Sequence, residues 1–314
     1  MTRAAAGLQR YNQLFLLIVV VAVATVISRG VFLRPSNLVL VIASASAAGL
    51  VSFGQALVVV GGGFDLSVGS LVAMSISAIV FFRTDLGMVG GTIAAVMTAV
   101  LAGLVSGLLV SRTKIPPFIV TLGMLSVADS MSWILAAGQP ITVSEYNDAI
   151  APLFAFLPLG QNAFPILVLV AGFIGTSLLL HRSKWGRYIY AIGSNEAAAR
   201  IAGVPVMKTK LLSYGLSAFL CAMAAIIYLY QNLSATPGEG ADYLLLSFAA
   251  TILGGVHMYG GSGSIPGVLV GVLCLASITS ALTIAGVAPS IYQGVLDVIV
   301  LAVVLFQSRL RLRR

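Results

Sequence analysis

Charge is what this sequence has least of. Only 8% of its 314 residues are Asp, Glu, Lys or Arg, while 59% are hydrophobic; a soluble domain carries about 25% charged residues. No soluble fold hides that much apolar surface. Long apolar runs recur from Leu14 to Phe306, which makes the chain an all-α polytopic membrane protein. Cysteine is scarce too. Cys221 and Cys274 both fall inside apolar runs, where a thiol serves as a small packing residue, and a disulfide framework is excluded. His181 and His257, with two such scattered cysteines, offer no metal constellation. A lone histidine in either place reads as structural. Finally, no Gly-Lys pair occurs anywhere, so the chain has no P-loop of its own.

What charge there is has a sign and a place. The net charge is +8, but the basic residues stand between apolar runs and at the ends, which orients membrane helices and argues against nucleic acid. Ten spans can be drawn, at 11–28, 37–60, 66–82, 87–110, 117–137, 163–180, 211–230, 243–256, 264–285 and 290–307. The eighth is short for an upright crossing, which leaves a tilted, broken or re-entrant course open. Leu14–Ile27 behind Arg3 and Arg10 has the outline of a signal peptide. It is read here as an uncleaved first helix, because nothing downstream reads as a secreted domain. With the N-terminus in the cytoplasm, fourteen of the seventeen basic residues fall inside, and Arg29, Arg34 and Arg83 outside. Both termini are then cytoplasmic, and residues 1–314 form a single transmembrane domain.

Two connections are longer than the turns between. Residues 138–162 contain no Lys or Arg and lie outside, where they can dock a partner or cover the path. Residues 181–210 lie inside and carry six basic residues. Within them Asn195 to Ala202 has a short helical pattern. Asn195 is a candidate N-cap, Glu196 stands in the first turn, and Gly203 and Pro205 stop the helix. It reads as a surface amphipathic helix or, more sharply, a docking knob for a cytoplasmic partner.

Glycine, by contrast, is plentiful. Gly61, Gly62 and Gly63 precede Phe-Asp-Leu-Ser-Val-Gly-Ser, and Gly254, Gly255, Gly261 and Gly263 punctuate a second break, GGVHMYGGSGSIPG. In membranes glycine lets backbones approach closely and lets helices break where they line a cavity. Asp65 is expected to cap the third span, with Ser67 beside it. The bland reading of the first break is a capped turn at the membrane edge. The functional one is a discontinuous helix near a translocation path. The two breaks share a Gly pair, then a Gly/Ser run, then an apolar helix, which hints at related elements in the two halves.

At these residues the chain resembles the permease subunits of bacterial ABC importers for ribose, xylose, galactose and related monosaccharides. The resemblance is carried by GGGFDLSVGS at 61–70, KIPPFIVTLGMLS at 114–126, GQPI at 138–141, GRYIYAIGSNEAAARIAGV at 186–204 and ILGGVHMYGGSGSIPGVLVG at 252–271. Branched-chain amino acid permeases are more distant relatives with similar breaks, which keeps another small polar cargo, such as a branched-chain amino acid or a nucleoside, as the alternative to a monosaccharide. The resemblance implies a ten-helix fold like that of the vitamin B12 importer (type II) permease. It also implies two permease subunits around one path, ATPase subunits that carry ATP and magnesium, and a periplasmic sugar-binding protein above. No cofactor is expected on this chain itself. The resemblance makes 186–205 the segment that couples to the ATPase, with Gly186, Arg187, Asn195, Glu196, Ala198, Arg200 and Gly203 as its residues. Three departures stand out. Glu196 to Gly203 is one residue longer than the usual interval. Asp129-Ser130 stands where the family usually has Arg-Gly, and Leu244–Ala249 lacks two acids the family tends to carry. The last two bear on which sugar is carried rather than on the importer class.

Intramembrane polar residues are the remaining candidates for the path. Asp129 sits about twelve residues into the fifth span, or about 18 Å at helical rise, and Asp297 lies midway along the tenth. An ionisable residue at such depth is a functional candidate, with helix packing in a protonated or Ser-bonded form as the alternative. Gln55 follows Ser44, Ser46 and Ser52 along the second span. Such residues are packing glue, or they present hydroxyls and an amide to a sugar. Two other functions compete. An ion-coupled transporter would use Asp129 or Asp297 as a proton carrier but leaves the basic loop unexplained. An intramembrane serine protease would use Ser262 in Gly260-Gly-Ser-Gly263 with His257.

Overall fold

The computed structural model describes the chain apart from residues 1–2, 144–149, 151, 153, 155, 289–290, 292–293, 296–297 and 299–314. Ten helices are described: α1 (Arg3–Ile27), α2 (Pro35–Val60), α3 (Val68–Arg112), α4 (Pro117–Leu135), α5 (Ala163–Arg182), α6 (Lys184–Ser194), α7 (Glu196–Ile201), α8 (Val206–Asn232), α9 (Asp242–Leu253) and α10 (Ile265–Ile284). Short 3₁₀ turns occur at Val31–Leu33 and Gly160–Asn162. A two-residue antiparallel pair, β1 (Ile141–Thr142) with β2 (Ser234–Ala235), ties the long 138–162 connection to the end of α8. Six of the described helices are long and apolar enough to cross a membrane, while Gln13–Ile27 and α9 are apolar but shorter. Nine of the ten expected spans coincide with helix. The tenth, 290–307, falls largely outside the described residues, and Asp297 with it.

The 45 residues of α3 would reach about 67 Å if straight, twice the ~30 Å apolar thickness of a bilayer. The helix is not straight. Gly87, at φ 68° and ψ 176°, takes a conformation that glycine reaches without steric cost, and the chain doubles back there. A Cβ placed on Gly91 would come within 2.9 Å of the Ile79 carbonyl oxygen, so 68–86 and 88–112 are antiparallel arms. That turn falls where the sequence divided its third and fourth spans.

The core lies where α2, α3 and α8 meet. Without a hydrophobic force between helices in lipid, close packing has to come from small residues. Ala95, Ala99, Gly103 and Gly107 repeat every fourth position along the second arm of α3, and all are buried. Gly103 lies against Ala218 and the Tyr214 carbonyl, and Gly107 against Leu211. On α2, Gly54 lets the helix approach the Ser217 backbone. On the other flank α1 and α9 pack on α10.

The eighth apolar segment resolves into a loop and a half-length helix. A Cβ on Gly240 would stand 2.8 Å from the Gly69 carbonyl oxygen and 3.1 Å from the Ala73 nitrogen. Gly240 therefore lies within the first third of the 68–86 arm, counted from the 61–67 break. The chain after α8 descends into the bundle before α9 begins. The twelve residues of α9 cover about 18 Å.

Two expectations need correction. Residues 181–210 are not mainly loop: α6 fills their first half and α8 already begins at Val206, so Lys208 and Lys210 are helical. Asp65 does not cap α3. Ser67 occupies the cap position, and Asp65 acts two residues earlier as a turn acceptor.

Candidate functional site

Both glycine breaks and the 181–210 segment converge at one end of the bundle. After α2, Gly62 turns with φ 76°, its amide donating to Val59 and that of Gly63 to Val58. Phe64 then offers its carbonyl to the hydroxyls of Thr121 on α4 and Tyr214 on α8, each at 3.2 Å. Asp65 is 1% exposed. Its Oδ1 accepts from the Ser67 hydroxyl at 2.6 Å and amide at 3.0 Å, and its Oδ2 from Ser217 at 3.4 Å. A buried carboxylate needs such donors. Asp65 and Ser67 thus brace the break against α8, with their hydrogen bonds turned inward.

The second break folds onto the first. Gly261 donates its amide to the Val60 carbonyl at 2.8 Å. A Cβ on Gly260 would stand 2.7 Å from the Gly62 backbone. Gly254 packs on Val268 of α10, and Gly255 and Gly267 lie against Gln13 of α1. Gly263 adopts φ 149°, open to glycine. The two breaks therefore meet through backbone atoms.

Helix α6 closes the knot. The Ser183 hydroxyl caps it by accepting from the Gly186 amide at 3.2 Å. Gly186, Ile189 and Ile192 form its buried side, at the i, i+3 spacing of one face. A Cβ on Gly186 would collide with the Leu180 carbonyl, and one on Gly193 with the Val60 carbonyl. The Tyr190 hydroxyl donates to the Gly263 carbonyl at 2.7 Å. Helix α6 therefore touches both breaks through backbone. Sequence reasoning missed this helix and its residues Tyr190 and Gly193. The signal was there: two glycines seven apart on a face that also holds Ile189 and Ile192.

Helix α7 stands beyond α6. Asn195 caps it, its Oδ1 accepting from the Ala198 amide at 3.0 Å. Gly203, at φ 79°, ends it. Ile192, Ala199 and Val206 pack together and bind α6, α7 and α8 into one unit. Glu196 bridges Arg200 at 3.1 Å and Lys210 at 2.7 Å. Burial raises the Glu196 pKa, but hydrogen bonds and charges from Lys210 and Arg200 outweigh it, and the carboxyl is held below its ordinary value. Arg187 is exposed, its Nη1 donating to Ser183. On the outer side Ala198 is exposed and Ile201 is 89% exposed. A cavity of about 420 Å³ lies between this unit and the first break, lined in part by Gly61, Lys114, Glu196, Lys210 and Tyr214.

The other candidates lie apart from this knot. Gln55 is fully buried on α2, and neither its Oε1 nor its Nε2 has a hydrogen-bond partner among the described residues. Asp129 is half-buried on α4, near Gly238 of the descending loop. Among the described residues no three His, Cys, Asp or Glu side chains are grouped to hold a metal. His257 accepts from the Tyr259 amide through Nδ1, and its own amide donates to the Ser262 carbonyl. That is a turn, not a Ser–His catalytic pair. An exposed tip on α7 and two helix breaks are thus joined through α6 by direct contacts.

Residues 37–305 match the family model described as branched-chain amino acid transport system, permease component. The chain is 33% identical over 308 residues to the ribose import permease protein of Bacillus subtilis (strain 168), covering 94% of this chain and 90% of that one. It is 32% identical to the fructose import permease protein of Rhizobium meliloti, over 88% of this chain and 80% of the relative. It is also 32% identical to the L-arabinose transport system permease protein of Escherichia coli (strain K12), over 83% and 79%. No solved structure matches it.

Proposed function

We propose that this chain, which belongs to the permease-component family of branched-chain amino acid transport systems, is the membrane subunit of an ATP-driven importer for a monosaccharide. Its relatives named for ribose, fructose and arabinose import support that cargo class. The observation that carries the mechanism is the α6–α7 unit, with an exposed Ile201 tip outside and backbone contact with both helix breaks inside. The partner ATPase, which carries ATP and magnesium, docks on α7. Its ATP-bound and ATP-free states favour different positions of the unit, and that differential binding drives alternating access. Glu196, clamped to Lys210 of α8, passes the same displacement to the core.

The chain is a non-enzymatic subunit of one domain in the bacterial inner membrane. We place the 181–210 segment and both termini in the cytoplasm, following the basic residues. We propose ten spans and the vitamin B12 importer type of fold for the chain, with α9 as the half-length member. A second permease, identical or paralogous, completes the path, and a periplasmic binding protein delivers the sugar. A branched-chain amino acid cargo is favoured by the family's description, so leucine belongs beside the sugars in any uptake panel.

The test is extraction of the tagged chain from its native membrane in mild detergent, with mass spectrometry of stoichiometric partners. An ATPase subunit is expected. Recovery of the chain by itself, under conditions that keep other importers assembled, would overturn the importer reading.

A further inference from the structure

Helix α4 carries two different outer faces. Val127, Met131 and Ile134 form an exposed apolar one, as lipid contact requires. Ser126, Asp129, Ser130 and Trp133 form another, at i, i+3, i+4 and i+7. Ser126 and Ser130 are exposed, Asp129 is half-buried and Trp133 is 48% exposed. Asp129 lies about 18 Å along the helix from Pro117, and has no hydrogen bond or ion pair among the described residues. A carboxylate at that depth, if it faced lipid, would need a partner. Among the described residues it has none, and a face turned to water or a polar cargo accounts for that.

A third element completes the arrangement. The loop that descends after α8 reaches α4 at Gly238, whose amide donates to the Ser132 hydroxyl at 3.2 Å. Ser132 in turn bonds Ser77 of α3 at 3.0 Å, which fixes the loop to both helices. A Cβ at Gly238 would stand 3.8 Å from Trp133 Nε1 and 3.9 Å from Asp129 Oδ1. The turn at Gly238, with φ 80°, therefore has the indole nitrogen and the carboxylate both within about 4 Å of one point.

We propose that Asp129, Trp133 and the Gly238 turn form a station on the translocation path that contacts a neutral polyhydroxylated solute. This deepens the importer reading and rests on it. An ionised carboxylate is an acceptor with two oxygens and about four lone-pair sites, suited to two neighbouring hydroxyls of a sugar. An indole offers an apolar face for the sugar's C–H groups and a donor at its edge. The described stretches that meet here, 69–79, 121–135 and 228–243, contain Asp129, Glu239 and Asp242 and no Lys, Arg or His. Like charge therefore works against an anionic cargo.

The experiment has two arms on the assembled transporter in its membrane. In the first, Asp129→Cys, Trp133→Cys and the lipid-side Ile134→Cys (native residue 67% exposed) are challenged with a charged thiosulfonate that reacts only in water. The native Cys221 and Cys274 are buried. Positions 129 and 133 should label at least tenfold faster than 134. Equal rates overturn the station, whatever the cargo. In the second arm, uptake of ribose, fructose and arabinose is compared with uptake of the anionic gluconate. The sugar carried by the native protein should lose at least tenfold in uptake with Asp129→Asn or Trp133→Leu, at unchanged assembly. Native-level uptake by both variants, or gluconate carried as well as the sugar, overturns the cargo contact. If the native protein carries none of the sugars, the monosaccharide reading fails, and the labelling arm still decides whether this face lines an aqueous path.

Discussion

Replacing Gly193 by alanine tests the knot most directly. The added Cβ would fall onto the Val60 carbonyl and within 2.6 Å of the Gly261 nitrogen. Both are backbone atoms, and no rotamer change relieves the contact. Helix α6 must move outward by about an ångström or the second break must lift off the first. Overpacking of this kind costs about 1–3 kcal/mol. Loss of the Gly261–Val60 hydrogen bond, 2.8 Å in the native protein, adds about 0.5–1.5 kcal/mol. Alanine in the helix returns about 1 kcal/mol. The docked arrangement should therefore weaken by about 0.5–3.5 kcal/mol, or about 2- to 400-fold in population. The assay is the ratio of ATP hydrolysed to solute imported by the reconstituted transporter, with Gly175→Ala as the control. A Cβ on Gly175 meets nothing within 4 Å, and that variant should behave as native. Gly193→Ala should raise the ratio at least about twofold while the complex still assembles. A native ratio with a native melting temperature would refute the claim that α6 transmits through backbone contact.

Gly203→Pro should uncouple ATP hydrolysis from import while leaving the protein in the membrane. Proline cannot adopt the native φ of 79° and also removes the amide that donates to Arg200; normal uptake would count against the coupling role of α7. Glu196 gives a pH signature. Its folded pKa lies below the ordinary value of 4.5, so its contribution is fully present above that value and is lost as pH falls through the lower folded one. Protection of α7 against hydrogen exchange, taken relative to the unstructured chain at the same pH, should fall on the acid side in the native protein, and a Glu196→Gln variant should show protection reduced already at neutral pH and flat across that window. Gln55→Met removes two buried polar atoms that lack partners among the described residues, and should stabilise the chain by about 1–3 kcal/mol in thermal unfolding; a lower melting temperature would show that the amide is satisfied in the assembled membrane.

Much of this was written in the chain. Hydropathy gives the membrane class because backbone polar groups in lipid must bond within helices, and basic residues suggest which loops stay inside. Asn195 and Gly203 bound α7 by local rules, since an N-cap oxygen and a left-handed glycine act within one turn. The reversal at Gly87 and the brevity of the eighth span were legible for similar reasons. Tertiary structure decided the rest. No local pattern says that Gly261 bonds Val60, that Gly193 meets the same carbonyl, or that Gly240 reaches Gly69, because glycine marks room for an approach without naming the partner. Asp65 reads locally as a helix cap. It became a brace only when α8 brought Ser217 beside it. Trp133 was one apolar residue among many until the descending loop set Gly238 against it and Asp129. Sequence fixes what each residue can offer, and packing chooses among the offers by distance.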